Sequence, residues 1–167
     1  MVLDQCRFHI LLLQYYKMAA LKEQLYLLCS DYISKREAEI KKVIADAQEA
    51  AANDTKSSAG DKYETGREMM QQEINQNQGR LNELNKLKAT LEHISPTQKG
   101  AVAIPGSIVY TNNGNFYIAI SAGPLKADNT SFYAISAASP IGAKLMGQRV
   151  GYEFDLNGKK FVVEEVE

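Results

Sequence analysis

The sequence predicts an α+β protein in which a long antiparallel coiled-coil hairpin of two helices precedes a small antiparallel β-sheet domain with one short helix. Two observations predict this division. All four prolines and eight of the eleven glycines lie after Ser95. Apolar residues follow helical spacing before Ser95, whereas β-rich segments and hairpin turns follow it. A chain of 167 residues suits one ordinary domain or two small ones.

The first element is a short apolar run that precedes a cleaner helical start at Met18. A membrane-spanning helix needs roughly 20 apolar residues, and the run from Phe8 to Tyr16 is much shorter. Gln14 and Lys17 also interrupt it, which disfavours a signal peptide. We therefore interpret residues 1–17 as an upstream extension, with an extra helical segment that packs on the second domain as the alternative.

Residues 18–95 are expected to form the hairpin, with its tip near residues 53–61. The segment contains no proline, and its apolar residues recur every three or four positions on both sides of a turn-rich stretch. The two stripes mirror each other, and three pairs have residue numbers that sum to 114: Ile33 with Leu81, Ile40 with Ile74, and Ile44 with Met70. This arithmetic centres the turn near Ser57 and favours antiparallel self-pairing.

Residues 96–105 are the predicted linker, and residues 106–167 are the predicted β-rich domain. Strands are expected at 107–111, 115–121, 131–136, 149–156 and 159–166, in part because Asn112-Asn113-Gly114 and Asn157-Gly158 are hairpin turn sequences. One short helix is expected between them. Ser139 fits its N-cap, Pro140 its first position, and Gly147 the position after its end.

Composition excludes several classes of function. The formal net charge is −1, and residues 1–98 and 99–167 are each nearly balanced, so neither phosphate-driven nucleic-acid binding nor a polybasic membrane arm is supported. Two cysteines and two histidines do not have zinc-ligand spacing. The cysteine count indicates a reducing, cytoplasmic setting. Cys29 lies among leucines, where a buried inert thiol is more ordinary than a nucleophile.

Seven aromatic residues at strand spacing in the second half suggest either a ligand cleft or a core with cross-strand pairs, and we favour the core. They are Tyr110, Phe116, Tyr117, Phe132, Tyr133, Phe154 and Phe161.

The string from Ser136 to Gly151, SAASPIGAKLMGQRVG, closely resembles the C-terminal signature of the Gre transcript-cleavage factors of bacterial RNA polymerase. In that family a Ser-Pro step followed by an aliphatic and a small residue opens a short helix, and a valine-glycine-acidic turn follows. Here Tyr152 replaces the acidic residue, and Lys144 replaces a small one. The family's architecture, a helical hairpin followed by an FKBP-like domain, is similar to the one expected here from Met18 onwards.

The resemblance implies a transcription elongation factor that binds RNA polymerase at its secondary channel. The resemblance leaves open whether the protein is an enzyme and favours a factor that has no activity in isolation. In the family, tip carboxylates help the polymerase to hold a second Mg²⁺ for cleavage of backtracked transcripts. The matching tip carboxylates are Asp54, Asp61 and Glu64, with Asp54 and Asp61 as ligands of the shared Mg²⁺. The matching polymerase-binding residues are Ser139, Pro140, Ile141, Gly142, Lys144 and Arg149. The resemblance also implies a cytoplasmic monomer without a permanent cofactor, sequence-specific nucleic-acid binding or membrane attachment.

The tip departs from the family pattern, which has a Glu three residues after an Asp. Asp54 matches the Asp, but Ser57 stands where the Glu belongs. Asp61 and Glu64 have the required separation and are candidates to replace it. Two forms of the hypothesis therefore remain open, a cleavage stimulator and a competitor that occupies the channel without cleavage. An FKBP-like isomerase or chaperone module and a structural adaptor are further alternatives.

Overall fold

The computed structural model describes residues 2–54, 61–97 and 100–167, with the backbone alone described at 2–15, 17, 53–54 and 61–65. The fold is α+β, as predicted, because two long helices precede a six-stranded sheet. The chain divides into two compact units. We call Met1–Ser30 with Thr90–Glu167 the sheet unit, and Asp31–Ala89 the helical arm.

The two long helices are α1 (Val2–Asp54) and α2 (Asp61–Glu92), and the interval between them coincides with the predicted tip. Helix α1 is continuous through the segment interpreted as an upstream extension. Neither helix has, within the described residues, a stretch long and apolar enough to cross a bilayer. In the helical arm the buried side chains lie on one stripe of each helix, at Ile33, Ala47, Asn77 and Leu84.

The sheet contains β1 (Ile108–Thr111), β2 (Gly114–Ala119), β3 (Gly123–Ala127), β4 (Thr130–Ser136), β5 (Glu153–Leu156) and β6 (Lys159–Val166). Their spatial order is β3-β4-β2-β1-β6-β5. Helix α3 (Pro140–Leu145) lies between β4 and β5 in the chain. All neighbouring strands are antiparallel except β2 and β4, which pair in parallel from Phe116↔Tyr133 to Ala119↔Ser136.

The prediction of a wholly antiparallel sheet was therefore wrong, and strand β3 was not predicted. Asp128 and Asn129 have φ values of 47° and 61°, which is the backbone of a tight type I′ turn, so β3 and β4 form a hairpin. Strand β4 lies between β3 and β2, and this insertion makes β4 parallel to β2. The Asn157-Gly158 turn was correctly predicted, since both residues have positive φ and join β5 to β6.

One face of the sheet carries the larger apolar core. It is centred on buried residues of the strands and α3: Ala103, Val109, Phe116, Ile118, Leu145, Phe154, Phe161 and Val163. Four neighbouring ring pairs connect Tyr133, Phe116, Phe161, Phe154 and Tyr152 in one row, with centroid separations from 5.0 to 6.2 Å. Five of the seven aromatic residues are buried, which confirms for them the interpretation as core, whereas Tyr110 is half-buried and Tyr133 is 48% exposed.

The opposite face of the sheet packs near residues 22–29 of α1, inside the same unit. Tyr117 on β2 is fully buried and lies close enough to Cys29 and Tyr26 of α1 for their charges to influence its pKa. Lys22 on α1 is also buried, and its positive charge acts on the Glu167 carboxyl. Burial and the nearby Glu165 raise the pKa of that carboxyl, while the Tyr110 hydroxyl and Lys22 oppose the rise.

Candidate protein-docking surface

Helix α3 starts with a cap in which the Ser139 side chain makes two hydrogen bonds. Its Oγ accepts a hydrogen bond from the Gly142 amide at 3.1 Å and donates one to the Ser136 carbonyl at 2.7 Å. Pro140 follows at the start of the helix, where its missing N–H costs nothing. The predicted cap and first position are therefore confirmed, and both polar functions of the Ser139 hydroxyl are used within the fold.

Gly142 lies where no side chain fits. A Cβ at this position would be 2.0 Å from the Ser136 carbonyl oxygen, so the first turn of α3 can approach the end of β4 only with glycine. Ile141 is half-buried and packs against the apolar core. Three of the six predicted polymerase-binding residues, Ser139, Ile141 and Gly142, thus have structural roles that explain their presence in the signature.

The remaining three, Pro140, Lys144 and Arg149, are exposed. The structure adds Ala143, which is exposed on the same short helix, and Val150, whose side chain is 61% exposed. We call these five residues the α3 surface. It consists of three exposed apolar residues and two cations within eleven consecutive positions of the chain.

The loop that carries Arg149 and Val150 is fixed by backbone hydrogen bonds on both sides. The Gly147 amide donates to the Ala103 carbonyl at 2.8 Å, and the Ala103 amide donates to the Gln148 carbonyl at 2.9 Å. Beyond Val150, the Gly151 amide donates to the Val163 carbonyl at 2.8 Å. Because the backbone of this loop is already ordered, binding through the Val150 side chain would cost little further conformational entropy of the loop.

The stretch of chain that carries the α3 surface has a net positive charge. No acidic residue occurs between Asp128 and Glu153, and Lys144 and Arg149 are the only charged residues in that interval. Within the described residues, the ion pairs involve other cations: Lys35, Lys41, Lys86 and Lys160. The charges of Lys144 and Arg149 therefore remain available to an acidic partner.

The three predicted tip carboxylates belong to residues at the C-terminal end of α1 and the N-terminal end of α2, where the backbone is helical. Asp54 is the last residue of α1, Asp61 is the first of α2, and Glu64 lies in the first turn of α2. Their side chains and residues 55–60 lie outside what the structure describes, so the Mg²⁺ site stays a prediction. The described side chains elsewhere do not include a group of three or more His, Cys, Asp or Glu that would hold a metal ion.

Sequence reasoning missed Val150 as a member of the surface, although it lies within the recognised string. The available signal was its place between Gly147 and Gly151, two residues that take positive φ of 77° and 88° and so confine it to a tight loop. Neither any protein-family model nor any curated protein matches this chain.

Proposed function

We propose that this protein is a Gre-like transcription elongation factor that binds bacterial RNA polymerase at the secondary channel and modulates elongation. The supporting observation is the α3 surface: the signature residues Ser139 and Gly142 build a rigid cap and leave Pro140, Lys144, Arg149 and Val150 exposed. Exposed apolar area beside unpaired cations is typical of a contact with an acidic protein surface. An FKBP-like fold for residues 106–167, a cytoplasmic location and a monomeric state are parts of this proposal.

The proposal includes antiparallel coiled-coil pairing of α1 and α2 within the helical arm. A lone helix in water does not bury its side chains, yet Ile33, Asn77 and Leu84 are 4% to 6% exposed. Buried and half-buried positions mirror about a common centre, with three pairs whose numbers sum to 117: Ile33 with Leu84, Ile40 with Asn77, and Ala47 with Met70. This centre lies one to two residues after the one that the sequence alone indicated.

Charges on the two helices give the pairing further support. The Lys41 ammonium, through its hydrogen bond, and the more distant Lys88 of α2 both lower the pKa of the Glu37 carboxyl on α1. An influence of Lys88 on a carboxyl of α1 is what an antiparallel partner helix would produce, and it supports the proposed pairing.

The charge of the helical arm suits a role near cations. Residues 43–73 contain seven acidic residues against three basic ones, whereas 31–42 and 74–89 together contain four acidic and seven basic. A net charge of −4 on the tip-side portion attracts divalent cations and repels a nucleic-acid backbone. Direct binding of this portion to RNA is therefore disfavoured, and assistance to a metal-dependent reaction is favoured.

Three carboxylates form a donor set that fits Mg²⁺, because this ion prefers oxygen ligands and needs only one or two carboxylates from a protein. In this proposal Asp54 and Asp61 hold the ion together with the polymerase, and Glu64 lies one helical turn beyond Asp61. When bound, such an ion activates water and stabilises the leaving oxygen in phosphodiester hydrolysis. This chain's own task is to bring the carboxylates to the polymerase.

The test uses stalled elongation complexes of the cognate polymerase with Mg²⁺, with and without the protein. The wild type is compared with the triple variant Asp54→Ala, Asp61→Ala, Glu64→Ala, and with a control in which exposed Glu39 and Asp46 are changed to alanine. A cleavage stimulator gives shortened transcripts that can be extended again. The triple variant then loses cleavage but still binds, and the control keeps both.

Other outcomes separate the alternatives. Binding without cleavage, with competition against a known cleavage factor, identifies the non-cleaving channel regulator. Cleavage that is unchanged in the triple variant refutes the assignment of the tip carboxylates. Absence of polymerase binding refutes the proposed function. The isomerase alternative receives less support, since the phenylalanines of the aromatic row are buried in the core.

A further inference from the structure

Burial is uneven along the helical arm. In the portion made of residues 31–40 and 80–89, the buried side chains are the large apolar Ile33 and Leu84. In the portion made of residues 43–52 and 66–76, the side chain of Ala47 is the only buried one among those that the structure describes. We call these the proximal and distal portions. Both portions also have half-buried apolar side chains, so the difference between them lies in the buried positions, where the proximal portion has large residues and the distal one has a single alanine. Since pairing of two helices is stabilised mainly by the apolar area that it buries, the distal portion has less to hold it together.

Asn77 lies at the boundary between the two portions and is 4% exposed. Its Nδ2 donates to the Glu73 carbonyl at 2.9 Å, and its Oδ1 accepts from the Arg80 guanidinium at 3.2 Å. Both partners belong to α2, so these two hydrogen bonds do not join the helices. Asn77 therefore lies in the buried stripe but adds no apolar surface to it. An apolar side chain at this position would make the stripe continuous between the two portions.

From these observations we infer that the helical arm opens in two steps, with Asn77 as the boundary. The distal portion separates and recloses while the proximal portion stays paired, because the polar position interrupts the apolar stripe between them. The inference rests on the pairing of α1 and α2 that accompanies the proposed function. It adds that the distal portion becomes fully ordered only when the binding partner surrounds it. The free energy spent on this ordering then lowers the affinity of the protein for that partner.

Amide hydrogen exchange of the free, full-length protein tests the inference without any polymerase. We expect peptides from 43–52 and 66–76 to exchange at least about tenfold faster, relative to their intrinsic rates, than peptides from 31–40 and 80–89. The change Asn77→Leu makes the stripe continuous. It should slow distal exchange by about tenfold or more, because burying one leucine is worth at least a decade in an opening equilibrium.

The matched control is Asn82→Leu, the same chemical change at an exposed position of α2. It should leave the difference between the portions unaltered. Equal protection of both portions from amide exchange in the wild type would overturn the two-step opening. The same follows if Asn77→Leu and Asn82→Leu change the exchange rate of the distal portion by the same factor. A lack of protection in both portions would overturn the pairing itself. Loss of polymerase binding with normal two-step exchange would instead refute only the proposed function.

Discussion

At the residue scale, the Tyr117 hydroxyl is a polar group that the fold buries without a hydrogen-bond partner among the described residues. Its aromatic ring packs between strand β2 and α1, where burial raises the pKa of the phenol. An unsatisfied buried hydroxyl costs about 1 to 3 kcal/mol. The ring therefore stabilises the sheet unit while its oxygen destabilises it.

We expect Tyr117→Phe to increase the free energy of unfolding by about 1 kcal/mol or more, because it removes the unpaired oxygen and keeps the ring. Urea denaturation should show a higher midpoint with an unchanged slope. The control is Tyr133→Phe, in which the hydroxyl lost belongs to a side chain that is 48% exposed, and its midpoint should hardly move. A lower midpoint for Tyr117→Phe would show that the hydroxyl has a partner such as a buried water.

Cys29 provides a second prediction at this scale. Its side chain is fully buried, and burial raises the pKa of the thiol from 9.0 to about 12. In a Cys6→Ser background, where Cys29 is the only thiol, we expect no reaction with a thiol reagent at pH 8 until the protein is unfolded. Rapid reaction of the native protein would show that the base of α1 leaves the sheet readily.

The same shift makes stability depend on pH. Between pH 9.0 and about 12 the unfolded chain loses the Cys29 proton while the folded chain keeps it. The contribution is therefore fully present below pH 9.0 and is lost as pH rises, by up to about 1.4 kcal/mol per pH unit. Cys29→Ala should reduce this alkaline slope in denaturation experiments, and the remaining slope should come from buried tyrosines.

At the scale of elements, α3 depends on two residues of the signature in unequal ways. Loss of the N-cap in Ser139→Ala should cost about 1 kcal/mol. Gly142→Ala should cost more, because its Cβ would meet a backbone carbonyl that cannot move without displacing the end of β4. Thermal unfolding should give this order, with Lys144→Ala as a near-neutral exposed control. A smaller loss for Gly142→Ala than for Ser139→Ala would show that α3 can shift away from β4.

Elements that are determined by their own residues, such as caps and tight turns, were predictable from the sequence. Elements that depend on contacts with residues distant in the chain, such as strand pairing, were not. Ser139, Pro140 and Gly147 carry the cap, start and end of α3 in their own chemistry, and Asn157-Gly158 carries its turn. Strand β3 was missed because Gly123 and Pro124 read as loop residues, although an edge strand tolerates proline. The parallel pairing of β2 with β4 depends on where a hairpin docks, which the residues of neither strand encode.

The candidate surface shows the same division. Sequence similarity indicated the string, but only the fold separates Ser139 and Gly142, which build the cap, from Lys144 and Arg149, which face solvent. The burial of Lys22 and Tyr117 between α1 and the sheet was not predictable, since both residues appear ordinary within their own segments.

At the scale of the whole molecule, the proposed function makes the α3 surface the contact with RNA polymerase. We expect the double variant Lys144→Glu, Arg149→Glu to weaken binding to RNA polymerase by about tenfold or more, mainly through slower association at low salt. Val150→Asp should act mainly by faster dissociation, as loss of a central apolar contact does. Surface plasmon resonance at two salt concentrations would separate the two effects.

The matched control is Lys126→Glu, the same charge reversal at an exposed position on edge strand β3. Its association rate should stay near that of the wild type. An equal loss of binding in Lys126→Glu would show that net charge, and not the α3 surface, governs association.

Both edges of the sheet are protected against pairing with other chains. Strand β3 carries Pro124, which has no amide N–H, and the exposed Lys126, while β5 carries the exposed Glu153 and Asp155. Proline and charged residues at edges are the usual means of preventing sheet-to-sheet association. This arrangement accords with the monomer that the proposed function expects.

The sheet unit is discontinuous in the chain, since Met1–Ser30 and Thr90–Glu167 fold together while Asp31–Ala89 forms a unit of its own. In genetic terms the helical arm is an insertion within another domain. Removing equal numbers of residues from α1 and α2, in multiples of seven, preserves the spacing of the buried stripe and alters no residue of the sheet unit. Arm length and tip chemistry can therefore diversify under selection while the sheet unit is inherited unchanged.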